Sequence, residues 1–138
     1  MTEWAFIALG SNLGDRRDAL REARERLGEL PTTSLVAESS IEETEPLGPV
    51  AQGRYLNQMV LVRTGLAPHD LLDGLLSIER RMGRVRSERW GPRIIDLDIV
   101  RYDGMTVVEA GLSLPHPELP NRAFWQRELS ELLPHVAG

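Results

Sequence analysis

Two aspartates, Asp96 and Asp98, interrupt the otherwise apolar run from Ile95 to Val100. A strand turns alternate side chains to opposite faces, so these carboxylates share one face while Ile95, Leu97 and Ile99 share the other. Positions two apart on a strand are separated by about 6.5 to 7 Å, near enough for both to serve one metal cluster. Aspartate is a poor strand former, so a pair in mid-strand asks for a reason. One reason is a solvent-facing side of an antiparallel sheet. The other is magnesium, which takes oxygen ligands and commonly sits between one or two carboxylates and a substrate's phosphates. That second reading needs a phosphate binder nearby, and Arg84, Arg86, Arg89 and Arg93 lie just before the aspartates. Guanidinium forks match phosphate oxygens bidentately and stay charged. An arginine-rich loop alone is as readily a solvated surface segment. Here Trp90-Gly91-Pro92 interrupts it, and an exposed tryptophan in a loop calls for something to cover it. The combination points to a metal–polyphosphate site.

Other residues carry less by themselves. Glu79, near the end of a helical stretch, reads as a surface glutamate. His116, between Pro115 and Pro117, either fixes a turn or pairs with phosphate. The segment Gly10-Ser11-Asn12-Leu13-Gly14 resembles a phosphate-cradling turn before a helix, yet it is short of both common nucleotide fingerprints. Tyr55 and Phe124 are two of few aromatics, suited either to a core or to gripping a flat heterocycle.

The elements that must hold these groups follow from hydrophobic period. Trp4 to Leu9 reads as a buried strand. Asp15 to Leu30 reads as a helix with Leu20, Ala23, Leu27 and Leu30 on one stripe, stopped by Pro31. Leu35 to Ile41 is a second strand, Glu42 to Gly53 a loop, and Tyr55 to Arg63 a third strand. Pro68 opens a second helix, with Leu71, Leu75, Ile78 and Met82 spaced along it up to Gly83. Arg84 to Arg93 is a loop and Ile95 to Val100 a fourth strand. Tyr102-Asp103-Gly104 looks like a hairpin turn into Val107-Val108, and Pro120 to Leu133 holds a last helix. This order is the split β-α-β arrangement of an α+β, ferredoxin-like βαββαβ sandwich with an added hairpin and C-terminal helix.

With 138 residues and 41% apolar composition, the chain is expected to form a single domain over residues 1–138 with a real core. The absence of cysteine excludes disulfides and thiolate metal sites. A net charge of −5 argues against broad nucleic-acid binding. All basic residues are arginine, so phosphate handling falls to arginine, magnesium or backbone amides. Neither a leader nor a membrane span is visible, and the expectation is a cytoplasmic protein without membrane or nucleic-acid partners.

Several segments together resemble the hydroxymethyl-dihydropterin pyrophosphokinase family. They are Gly10 to Asp15, Thr44-Glu45-Pro46-Leu47-Gly48-Pro49, Tyr55-Leu56-Asn57, Ile78-Glu79, Gly83 to Arg86, Arg89 to Ile99, Pro115-His116-Pro117 and Asn121 to Phe124. The resemblance runs nearly the whole chain. It implies the ferredoxin-like fold and transfer of the β,γ-diphosphate of ATP to the pterin's hydroxymethyl oxygen, with release of AMP. It also implies Asp96 and Asp98 as ligands of two Mg2+ ions. Arg84, Arg93 and Asp98 are implied as the catalytic groups, and Arg86 and Trp90 as a mobile loop over ATP. Glu79, Ile99, His116 and Arg122 fall on the nucleotide side. Thr44, Pro46, Leu47, Tyr55, Asn57 and Phe124 fall around the pterin, with Tyr55 and Phe124 as its two stacking rings. The implied partners are ATP and the pterin, and the implied state is a monomer. The sequence departs from the pattern at Ser87, where relatives have a basic residue, and at Glu128, where proline is usual. Three rivals remain: a magnesium–ATP transferase acting on another small heterocycle, a ferredoxin-like binding module, and an inactive relative. The aspartates on the fourth strand count against a nucleic-acid-binding sheet, which needs a basic, aromatic face.

Overall fold

A computed structural model describes residues 2–45, 53–83 and 94–136. Its centre is an antiparallel sheet in which β1 (Glu3–Ser11) and β4 (Tyr55–Thr64) lie side by side. Both are apolar on both faces and buried along most of their length. Such strands are stable only where each face is covered. β2 (Thr33–Glu38) flanks β4, and β5 (Asp96–Tyr102) flanks β1, giving the order β2-β4-β1-β5 expected of a ferredoxin-like sheet.

α1 (Arg16–Gly28) and α2 (Pro68–Arg81) cover one face. Leu20, Ala23 and Leu27 of α1 and Leu71, Leu75 and Ile78 of α2 pack on Ala5, Ile7, Leu9, Val60, Val62, Leu97 and Ile99. α1 begins where Asp15 accepts a hydrogen bond from the Asp18 N–H at 3.1 Å, an N-cap that satisfies one orphan donor. α2 begins with proline in its first turn, where no N–H is required. α3 (Ala123–Leu132) covers the opposite face, where Trp125 and Leu132 meet Phe6, Ala8, Met59, Leu61 and Val100. The site side of β5 is therefore the α3 side.

Four expectations are corrected. β1 runs on through Gly10 and Ser11, so the glycine-rich segment is half strand and not a phosphate-cradling turn. The segment expected to be a loop from Glu42 to Gly53 begins with a short strand, β3 (Glu42–Thr44), paired with Asn57, Leu56 and Tyr55. Its polar residues hide it, but the long β4 extends past β2 and offers backbone groups that need partners. The chain does turn at Asp103-Gly104, yet Val107–Glu109 (β6) pairs forward with Leu112–Leu114 (β7), not back with β5. Gly111, at φ 83°, supplies the left-handed residue of that reversal. The last helical stretch is broken into a 3-10 turn, Leu119–Asn121, and α3, because Arg122 is extended at φ −112° and ψ 97°. Among the described residues no helix is long and apolar enough to cross a membrane.

Candidate active site

The two carboxylates share a face as expected, and the pairing register shows what lies beside them. Asp96 is opposite Gly10 on β1, Gly10 is opposite Asn57 on β4, and Asn57 is opposite Glu42 on β3. Directly opposed residues of an antiparallel pair point to the same face. One row therefore runs carboxylate, glycine, amide, carboxylate across four strands. The next row places Asp98 beside Ala8 and Met59, and on β4 the row beyond Asn57 places Tyr55 opposite Thr44. Strands stand about 4.8 Å apart, so Asp96 and Asn57 are separated by about 10 Å of floor that carries no side chain at Gly10.

That glycine is needed for contact reasons. A Cβ at Gly10 would lie 3.3 Å from Asn57 Oδ1 and 3.3 Å from Tyr55 Cδ1. Asn57 is fixed in turn, because its Nδ2 donates to Thr44 Oγ1. Its Oδ1 stands over Gly10. The result is a narrow slot floored by backbone, walled by the Tyr55 ring and edged by an oriented amide.

At the carboxylate end, the segment after β7 folds back over β5. His116 N–H donates to Val100 O at 2.8 Å, and His116 Nδ1 accepts from the Glu118 N–H at 3.0 Å. With Nδ1 an acceptor, the neutral ring carries its proton on Nε2. Nε2 lies 3.8 Å from Asp98 Oδ1, too far for a hydrogen bond and wide enough for a shared ligand oxygen. Burial, then the charge of Arg122, pushes the His116 imidazole below its ordinary pKa, with Glu118 opposing weakly. Trp125 organises this corner. His116 meets its ring edge-on at 4.9 Å, and the Arg122 guanidinium lies 4.4 Å above it. Phe124 stands half-buried in the first turn of α3, 6.3 Å from Trp125, on the same side of the sheet as Tyr55.

Two expected nucleotide-side residues turn away from this face. Ile99 is 3% exposed and packs in the core under α1 and α2, so any ligand contact there would come from its backbone. Glu79, also on that side, is 3% exposed, and its Oε2 accepts from the Leu97 N–H at 2.8 Å. It is no surface glutamate; it ties α2 to the strand that carries the aspartates. Arg84, Arg86, Arg89, Trp90 and Arg93, with Pro46 and Leu47, lie outside the described residues. The structure thus brings together Asp96, Asp98, His116 and Arg122, and, across Gly10, Thr44, Tyr55 and Asn57. Sequence reasoning gave Gly10 the wrong role and overlooked Trp125, whose only signal was its place beside Phe124 on the helix.

Magnesium suits this donor set. Among the described residues no group of three metal-ligating side chains occurs, but an ion held by one or two carboxylates takes its remaining oxygens from phosphate and water. A hollow of about 490 Å³ beside Gly14, Asp15, Arg16, Arg17, Ile41, Glu43 and Leu56 lies at the start of α1. Arg16 is already committed there, 2.9 Å from Glu43 and 2.9 Å from Arg54 O.

The fold and site define a ferredoxin-like α+β protein with an acidic corner and an aromatic, amide-edged slot on one sheet face. Residues 6–134 match the 7,8-dihydro-6-hydroxymethylpterin-pyrophosphokinase (HPPK) family model, and the chain belongs to that family. A Methylorubrum extorquens protein named 2-amino-4-hydroxy-6-hydroxymethyldihydropteridine pyrophosphokinase is 44% identical over 132 residues, covering 96% of this chain and 84% of the relative. A Pseudomonas aeruginosa protein of the same name is 42% identical over 136 residues, covering 99% and 84%. In fold, the chain is similar to Plasmodium falciparum HPPK-DHPS, wild type, solved with pterin and p-hydroxybenzoate, at a TM-score of 0.73 and 18% identity. It covers all of this chain but 41% of that longer one, so the present chain spans about two-fifths of its length.

Proposed function

We propose that the protein transfers the β,γ-diphosphate of ATP to the hydroxymethyl oxygen of 6-hydroxymethyl-7,8-dihydropterin, releasing AMP and the pterin diphosphate, in folate biosynthesis. The observation that carries this reading is the row Asp96–Gly10–Asn57. It sets a carboxylate and an oriented amide about two strand spacings apart on one face, with the Tyr55 ring and the Asn57 amide close over the glycine backbone. A flat, polar-edged heterocycle fits that slot, with its ring against Tyr55 and its amide edge at Asn57 and Thr44. Phe124, and the backbone around Pro46 and Leu47, would complete the pocket. The hydroxymethyl arm then reaches toward the carboxylate end.

Asp96 and Asp98 would hold two magnesium ions together with the ATP phosphates. Magnesium bound there supplies charge neutralisation to the polyphosphate. His116, neutral and with its proton on Nε2, donates to a phosphate oxygen without bringing a further charge. Arg122, held over Trp125, supplies a fixed cation beside it. Arg84 and Arg93 take the transferred phosphates, and Arg86 and Trp90 close over ATP and exclude water. Glu79 and the Ile99 backbone support the nucleotide side. Diphosphoryl transfer requires in-line placement more than covalent help, so most of the rate comes from positioning and electrostatics. The same reading takes the enzyme as a cytoplasmic monomer.

The test is AMP formation from ATP and magnesium, with and without the pterin. AMP that appears only with the pterin, matched by pterin diphosphate, is the expected result. ADP would mean single phosphoryl transfer, and no nucleotide product would mean a binding module or an inactive relative.

A further inference from the structure

The core beneath α3 encloses a carboxyl group. Glu128 lies on the same stripe of α3 as Trp125 and Leu132 and is 0% exposed. Neither of its oxygens meets a hydrogen-bond donor, and Oε2 of Glu42 on β3 is likewise enclosed without one. Glu42 is a neighbour whose side-chain hydrogen bonding and charge both raise the Glu128 pKa. Ionised carboxylates only accept, so a hydrogen bond between them requires a proton. The surrounding charges decide where it sits. Arg127 Nε donates to Glu42 Oε1 at 2.9 Å, so the guanidinium charge is engaged on the Glu42 side of the pair. Glu131, the remaining charged neighbour, is occupied by the Ser40 N–H and hydroxyl at 2.9 and 2.8 Å. Its charge further disfavours a carboxylate at Glu128.

We propose that Glu128 is held protonated and donates to Glu42, and that this carboxyl pair is a positioning device for the heterocycle slot. β3 has three residues and hangs on β4 alone within the sheet. Glu42 is its first residue and opposes Asn57; Thr44 is its last and accepts the Asn57 side chain. Pinning Glu42 to α3 therefore fixes the strand that orients the Asn57 amide. Burial, chiefly, and the proximity of Glu42 push the Glu128 carboxyl up to about 9, so the pin holds at neutral pH and fails in alkali.

The inference rests on the pterin reading of the slot, and it is tested on the whole enzyme with Glu128→Gln, whose amide donates to Glu42 without a titrating proton. In the wild type, loss of the shared hydrogen bond is expected to raise pterin KM roughly tenfold between about pH 7.5 and about pH 10, with kcat and ATP KM moving far less. Taking the wild-type to Glu128→Gln ratio at each pH cancels titration of the substrate and of other groups. That ratio should climb with pH. A constant ratio would overturn the proposal. A second readout needs neither a variant nor turnover: the side-chain carboxyl 13C resonance of Glu128 in the wild type. It should remain that of a protonated acid at neutral pH, and titration in the ordinary carboxylate range would overturn the pair. If no AMP forms with the pterin, the functional reading fails, while the resonance still decides the carboxyl pair.

Discussion

Replacing Gly10 with alanine tests the floor of the slot directly. The added Cβ would sit 3.3 Å from Tyr55 Cδ1, 3.6 Å from Tyr55 Cε1 and 3.3 Å from Asn57 Oδ1. Carbon pairs prefer about 3.5 to 4.0 Å, so the ring and the amide must each retreat by a few tenths of an ångström. Asn57 is tethered to Thr44 and is 7% exposed, so it cannot retreat freely. Tyr55 is only partly buried and can move into the slot. Overpacking a closed core costs about 1–3 kcal/mol. Here one side is open, so the fold should lose about 1 kcal/mol, a few degrees in Tm. The slot should lose more, since the displaced ring and amide are its wall and edge. A further loss of about 1.4 kcal/mol there is a tenfold rise in pterin KM. ATP KM and the magnesium requirement should be spared, because the three nearest neighbours of the added Cβ belong to Asn57 and Tyr55 and none to Asp96 or Asp98. Thermal melts and initial rates of AMP formation, with each substrate varied in turn, measure all of this. An unchanged pterin KM with an impaired ATP KM would refute the assignment of the two ends of the row.

Asp98→Asn should cut AMP formation by about a hundredfold or more by removing a charged oxygen ligand, while the melt stays within a degree or so of wild type; near-normal rates would sink the metal assignment. Glu79→Leu should destabilise the fold by about 1–3 kcal/mol, because the buried Leu97 N–H loses an acceptor, while Glu79→Gln keeps one and costs less. Denaturant titration separates the two variants. Glu128 also predicts a stability slope. Its carboxyl pKa is raised from 4.5 to about 9 on folding, so the folded state binds the extra proton. The stabilisation is complete below the lower value and is lost as pH rises toward the upper one. The slope is at most about 1.4 kcal/mol per pH unit, and Glu128→Gln should flatten it in unfolding titrations across that window.

The parts legible in the sequence are those set by local period. The stripes of α1 and α2, the apolar runs of β1 and β4, and the shared face of Asp96 and Asp98 need only side-chain spacing. What was not legible depends on register between distant strands. β3 is too short and acidic to announce itself, and it forms because β4 leaves an edge open beyond β2. Gly10 looks like the start of a loop until its opposition to Asn57 and Asp96 is known. Glu128 falls readably on the stripe of Trp125 and Leu132, but its partner Glu42 lies on another element. Glu79 reads as a surface residue because a side chain serving a strand edge leaves no periodic trace.

The apolar face of β5 is what fixes its polar face. Ile95, Leu97 and Ile99 are all at most 5% exposed under α1 and α2. A slip of one residue would drive Asp96 and Asp98 into that core and lift the three apolar side chains out of it. Burying unpaired carboxylates is far costlier than losing a few methylene contacts, so the register has no near competitor. Glu79 adds a second lock, since its bond to Leu97 N holds only in the observed alignment. The carboxylates are thus placed by a packed sheet, whereas Arg84 to Arg93 and Pro46 to Leu47 lie outside the described residues. Substitutions at packed sheet positions such as Gly10 should therefore change binding and stability together, while a change at the half-exposed Asp98 side chain should alter turnover and leave the melt nearly unmoved.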